Sequence, residues 1–168
     1  TEGSGIDSYV LTWNNTTSKW IAAASSGGGG GSAATYTHYR MVMLPNGQTS
    51  FGLAELTLKD HTNTTQTASS CTSNSDYSGV SAATLITGSP GLYSASSTET
   101  NVYIDLVYAT AFAVAEVDMM ARTDSYYAQA PMLAMLFGSN DGTTFTHVGN
   151  LFFGIATSSS QVMVAKLP

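Results

Sequence analysis

The sequence predicts an all-β fold: an antiparallel jelly roll or β-sandwich, with an N-terminal β-hairpin arm on a glycine linker. Three observations lead there. Charged residues are only 10% of the 168-residue chain, against roughly 25% in ordinary soluble proteins. Ser, Thr, Asn and Gly supply the polarity instead, which suits strands and turns and disfavours surface helices. At least seven runs read as strands between turn signals, and none reads as a helix longer than a turn or two. Finally, five consecutive glycines, Gly27 to Gly31, interrupt the chain near its start.

The elements follow in order. In "SYVLTWNNTTSKWIAAA" the runs Tyr9 to Trp13 and Trp20-Ile21 are strand-like, and Asn14 to Ser18 is turn-like. A two-stranded hairpin is marginal in water by itself. Its apolar residues Tyr9, Leu11, Trp13, Trp20 and Ile21 therefore need a neighbour to cover them, which makes them the expected anchoring and assembly residues. "SSGGGGGS" has no side chains to order it and behaves as a coil with a reach of about 15 Å. The expected organisation is an arm over 1–24, a Gly/Ser linker over 25–32 and a head over 33–168.

Within the head, "TYTHYRMVML" (35–44) alternates, and "PNGQTS" is a turn. "FGLAELTLKD" (51–60) sets Ala54, Leu56 and Leu58 on one face and Leu53, Glu55, Thr57 and Lys59 on the other. The Ser/Thr-rich stretch 61–81 reads as largely loop. "NVYIDLVY" (101–108) sets Val102, Ile104, Leu106 and Tyr108 against Tyr103, Asp105 and Val107. "AFAVAEVDMMAR" (111–122) reads as one strand whose small odd-numbered residues pack inward. Asn140-Asp141-Gly142 separates two β-runs and supplies the positive φ of a tight hairpin. "LFFGIAT" and "QVMVAKLP" read as two further strands.

Composition also excludes functions. The net charge is −6 with five Lys and Arg, so no basic footprint exists for nucleic acid or an anionic membrane. No signal peptide and no apolar run long enough for a membrane span is read. Cys71 is the single cysteine; it forms no internal disulfide, and no cation stands beside it to activate the thiol. His38, His61 and His147 lack zinc-ligand spacing. Glu116 and Asp118 share a strand face about 7 Å apart, a separation compatible with paired-carboxylate glycoside chemistry but equally with a solvated face. The glycine run is not followed by the Lys-Ser/Thr of a phosphate loop.

"VAEVDMMARTDSYYAQAPMLAMLFGSNDGTTFTHV" (114–148) resembles the second half of a discoidin-like domain, the factor 5/8 C-terminal type with a galactose-binding-like fold. The shared features are a strand ending in Arg122, Gln129-Ala130-Pro131, a strand, Gly138 to Gly142, and Phe145. "FGLAELTLKD" resembles that family's first Ala-Glu-Leu strand. "SGVSAATLITGSPGLYSAS" (78–96) departs from it: Thr87 stands in place of an aspartate and Tyr93 in place of a tryptophan. The resemblance implies an eight-stranded jelly roll with sugars or lipid heads bound by loops at one end, and a structural Arg122 that holds its loop. "YVLTWNNTTSKW" (9–20) is similar to short units that recur in bacteriophage tail-fibre and other virion proteins.

Sugar recognition needs flat aromatic faces and polar groups on loops. The expected glycan-binding residues are Tyr77, Tyr93, Asp124, Tyr126, Tyr127 and Gln129. Asp76 or Asp124 would serve a loop-bound calcium ion; no other cofactor and no metal site is expected. The expected function is that of a non-enzymatic phage virion protein of tail-fibre or receptor-binding type, located on the virion surface and made in the host cytoplasm. Expected partners are other virion proteins through residues 1–24, host-surface carbohydrate, and further copies of the chain, a trimer being favoured. The alternative is a capsid decoration or cement protein without a ligand. A glycan-processing enzyme is the third class.

Overall fold

Period-two alternation and abundant β-branched residues set the strands. The computed structural model describes residues 9–14, 19–24, 33–44, 50–76, 80–88, 93–94 and 102–168, with backbone alone at 9–14, 19–24 and 93–94. The chain separates into two compact units, Thr1–Ala33 and Ala34–Pro168. The first holds β1 (Tyr9–Asn14) and β2 (Lys19–Ala24), paired antiparallel. Their register sets Trp13 opposite Trp20 and Ile21 opposite Thr12. The side chains of Tyr9, Leu11, Trp13, Trp20 and Ile21 lie outside the described residues, as does the linker at 25–32.

The second unit is an antiparallel β-sandwich. Its strands are β3 (Tyr36–Met43), β4 (Gly52–Asp60), β5 (Thr65–Gln66), β6 (Ala68–Ser73), β7 (Tyr93–Ser94), β8 (Tyr103–Phe112), β9 (Val114–Ala121), β10 (Leu133–Ser139), β11 (Thr146–Phe152) and β12 (Val162–Lys166). One sheet has the order β11-β10-β3-β8-β6; the other has β12-β9-β4-β5, with β7 also pairing with β4. Two short 3₁₀ turns, Ala82–Ile86 and Tyr127–Gln129, complete the described structure. Among the described residues no helix is long and apolar enough to cross a membrane.

Alternation fills the space between the sheets. Tyr39, Met41 and Met43 on β3 meet Ile104, Leu106 and Tyr108 on β8, and Leu56 and Leu58 of β4 join Val117 and Met119 of β9 in the same core. Each large aliphatic side chain buried this way stabilises the fold by about 1.5–3 kcal/mol. Tyr39, Tyr108 and Phe112 form an aromatic cluster with centroid separations of 4.8 to 6.0 Å. The Tyr39 hydroxyl donates to the Phe112 carbonyl, so the buried phenol is satisfied.

Several expectations need correction. Residues 61–81 are not all loop: they include the short strands β5 and β6. β6 is an edge strand with one fully buried residue, Cys71, so Ser and Thr can occupy its other positions. Residues 111–122 are not one strand. The chain leaves β8 after Phe112 and enters β9, in the other sheet, at Val114. Phe112 and Val114 are both buried, whereas Ala113 and Ala115 are half-buried; the alternation slips only after Val114, where the β4–β9 register is irregular between Lys59 and Asp60, and Val117, Met119 and Ala121 then pack inward. Leu53 is buried too, beside a register irregularity between Leu53 and Glu55. "LFFGIAT" is not a separate strand: Leu151 and Phe152 finish β11, and Gly154 at φ +79° turns the chain out of extended geometry. The expected turn after Leu44 falls mostly on residues outside those described.

Candidate functional site

The loop 122–130 carries four of the six expected glycan-binding residues. Arg122 directly follows β9 and lies against Gly52, where an added Cβ would sit 2.3 Å from the Arg122 Cδ. Its Nε donates to Asp124 Oδ1 at 3.0 Å and its Nη2 to Oδ2 at 2.6 Å. Asp124 Oδ1 also accepts the Tyr126 backbone N–H at 3.0 Å. The Arg122 guanidinium, followed by that N–H, holds the Asp124 carboxyl below the usual carboxylate range. Arg122 also stands 5.4 Å from the centroid of Tyr126.

The loop is thus fastened by its own charges. Tyr127 is half-buried against the core, while Tyr126 is 58% exposed and offers a ring to solvent. Gln129 Oε1 is buried without a hydrogen-bond partner among the described residues. The register aligns Tyr93 of β7, Leu53 of β4 and Ala121 of β9 in one cross-strand row, one residue short of Arg122. The Tyr93 side chain and all of Tyr77 lie outside the described residues. Asp76 Oδ1 accepts the Ala82 N–H at 3.3 Å, at the first 3₁₀ turn.

A concave site lies along β4. On one edge β4 has two short partners: β5 pairs at Leu58 and Lys59, and β7 pairs at Gly52 and Leu53. Between them, residues 54–57 have no strand partner on that side among the described residues. A cleft of about 300 Å³ opens at this gap. Glu55, Thr57, Gln66 and Thr87 give it polar walls, and Ile86 and Tyr108 give it apolar ones. Glu55 is half-buried, with no ion pair among the described residues. Gln66 is held in place by donating Nε2 to Asp60 Oδ2 at 2.8 Å. Asp60 is the organiser of this corner: it accepts from the Thr62 hydroxyl at 2.6 Å and the Thr64 N–H at 3.1 Å, which depress its pKa.

Sequence reasoning passed over Glu55, reading it only as an outward residue of a strand. Its one signal was an acid within the otherwise uncharged run 52–58. The Ser/Thr-rich stretch 61–81 contributes to the cleft through Gln66, and Thr87 of the segment 78–96 also lines it, whereas the 122–130 loop does not.

Elsewhere the charges are tied to one another. Lys59 Nζ lies 2.7 Å from both Glu116 Oε1 and Asp118 Oδ2, and Lys166 lies 3.4 Å from Glu116 Oε2. The hydrogen bond from Lys59 holds Glu116 below the usual carboxylate range. That is opposite to the elevation a general acid requires. Burial pushes the Cys71 thiol up to about 12, the reverse of a reactive thiolate. Among the described residues no group of three or more His, Cys, Asp and Glu could hold a metal ion. No family model, curated protein or solved structure matches the chain.

Proposed function

We propose that the chain is a structural protein of a bacteriophage virion, of the tail-fibre or receptor-binding type. Its N-terminal hairpin attaches to the particle or assembles with other copies, a trimer being favoured. Its sandwich, read as a discoidin-like jelly roll, is displayed on the virion surface and touches host glycans. The observation that carries this reading is the division into two compact units just past the glycine run, at Ala33 and Ala34. A hairpin of two strands gains little stability alone, so a unit of that size separated from the sandwich fits an attachment element. The tying of Glu116 and Asp118 by Lys59 supports a non-enzymatic role.

The test is incorporation into particles. Deleting residues 1–24 is expected to abolish incorporation, and normal incorporation of the truncated chain would overturn the proposal. Binding of the full chain to a glycan array supports the receptor-contacting form of the reading. A copy number matching the capsid lattice, with no glycan signal, would replace it with a decoration protein.

A further inference from the structure

We propose that Ser139 is a chemical lock on the Asp141-Gly142 linkage, holding the turn between β10 and β11 in a geometry from which the aspartate does not cyclise. The inference is independent of the virion reading.

An Asp-Gly linkage carries a built-in hazard. The glycine nitrogen attacks Cγ of the aspartate, and glycine has no side chain to obstruct the approach. A C–N bond forms, a C–O bond breaks, and the carboxyl hydroxyl leaves as water with the amide proton, giving a succinimide. Water then opens the ring at the main-chain carbonyl and leaves an isoaspartate, with one extra carbon in the backbone. A turn that depends on Gly142 at φ +69° would lose its geometry.

Hydrogen bonds fix both reacting groups. Ser139 is only 1% exposed. Its Oγ donates to Asp141 Oδ1 at 2.9 Å and accepts the Gly142 N–H at 3.0 Å. The Thr143 and Thr144 N–H groups donate to the same Oδ1 at 2.8 and 2.7 Å. One buried hydroxyl thus holds the electrophile and the nucleophile together with their neighbours. Cyclisation needs rotation about the Asp141 backbone and side chain until Cγ meets the nitrogen at about 3–3.5 Å. That rotation carries Oδ1 away from both threonines and the Gly142 N–H away from Ser139. The Thr144 N–H, then the Thr143 N–H and the Ser139 hydroxyl, also hold the Asp141 carboxyl well below the usual carboxylate range. The ionised form is the poorer electrophile, because its oxygen does not leave as water without a further proton.

The turn is pinned from outside as well. Asn140 Oδ1 accepts the Thr37 N–H at 3.0 Å, and Asn140 Nδ2 donates to the Thr35 carbonyl at 3.2 Å, which ties the tip to the start of β3. The His38 ring lies 3.3 Å from where a Cβ on Gly142 would stand, so the Gly142 peptide has a packed neighbour. Thr37 Oγ1 and His38 Nδ1, 2.9 Å apart, steady that ring.

The test is ageing of the full chain at neutral pH and body temperature, with proteolytic peptide maps that quantify isoaspartate at position 141. The native chain is expected to isomerise at least about a hundredfold more slowly than the same chain kept unfolded in urea, since several hydrogen bonds must break first. Ser139→Ala should raise the native rate about tenfold while both threonine contacts remain. Asp141→Asn keeps Ser139 and the accepting side-chain oxygen, and should likewise deamidate about a hundredfold more slowly folded than in urea. The maps separate that signal from Asn46-Gly47. Equal native and urea rates in either chain overturn the proposal. A slow native rate that Ser139→Ala leaves unchanged, with its melting temperature retained, overturns the role of Ser139. Fast hydrogen exchange at the native Gly142 amide overturns it too, whether or not Ser139→Ala folds.

Discussion

Arg40→Met probes how the outer face of the first sheet is held. The register places Arg40 of β3 between Asp105 of β8 and Phe137 of β10. Its Nε and Nη2 each donate to Asp105 at 2.7 Å, and its guanidinium lies 4.0 Å from the Tyr103 centroid and 4.3 Å from that of Phe145. The two charged side chains are 28% and 26% exposed, so solvent weakens the ion pair, and such a pair contributes at most about 1 kcal/mol. Each ring contact adds about 0.5–1 kcal/mol. The substitution should therefore cost about 2 kcal/mol, since Met still covers the sheet. Urea unfolding would read this as a lower midpoint at unchanged slope. Asp105→Asn should cost less, because the two rings still hold the guanidinium, and a double-mutant cycle should give a coupling of about 0.5–1 kcal/mol. A loss below about 0.5 kcal/mol for Arg40→Met would refute the reasoning. So would Asp105→Asn costing as much as Arg40→Met, since the rings would then contribute nothing.

Three other outcomes follow from the packing and the charges. An added Cβ at Gly138 would sit 2.1 Å from the Tyr36 ring; Gly138→Ala should cost about 1–3 kcal/mol in thermal unfolding, and most of that loss should vanish in a Tyr36→Ala background. Cys71 should resist a thiol reagent in the native protein and react once the chain unfolds, because it is buried with a thiol pushed up to about 12; rapid native labelling would contradict this. Hydrogen bonds depress the folded-state pKa values of Asp60, Glu116, Asp124 and Asp141. Their contribution to stability is complete above the ordinary carboxylate range, near pH 4, and is lost as pH falls through the depressed folded values. Melting temperatures should hold steady from neutral pH to about 5 and decline below about 4; a rise in stability toward pH 3 would contradict the assignment.

The regular strands were legible in the sequence wherever one face is buried. Tyr39, Met41 and Met43 mark β3, and Ile104, Leu106 and Tyr108 mark β8, by simple alternation. Gly142, at φ +69°, lies between β10 and β11 as the Asp-Gly pair indicated. Asp141 adds to the turn by accepting the Thr143 and Thr144 N–H groups at 2.8 and 2.7 Å. β6 was hidden because an edge strand needs few apolar residues, and Cys71 alone supplies its fully buried contact. The corner at Ala113 was hidden because a change of sheet leaves no mark in composition, only a slip in alternation between Phe112 and Val117. In the candidate sites, the spacing of Arg122, Asp124, Tyr126 and Gln129 placed them on one loop. The cleft was illegible because Glu55, Gln66 and Thr87 come from separate segments.

The corner at Ala113 has a consequence for how the sandwich comes apart. One uninterrupted stretch, from Tyr103 to Ala121, is central to both layers: β8 lies between β3 and β6, and β9 lies between β12 and β4. Peeling one layer would drag on the other through a single alanine. Loss of order should therefore be shared, with amides of the two central strands exchanging their hydrogens in the same global opening rather than layer by layer.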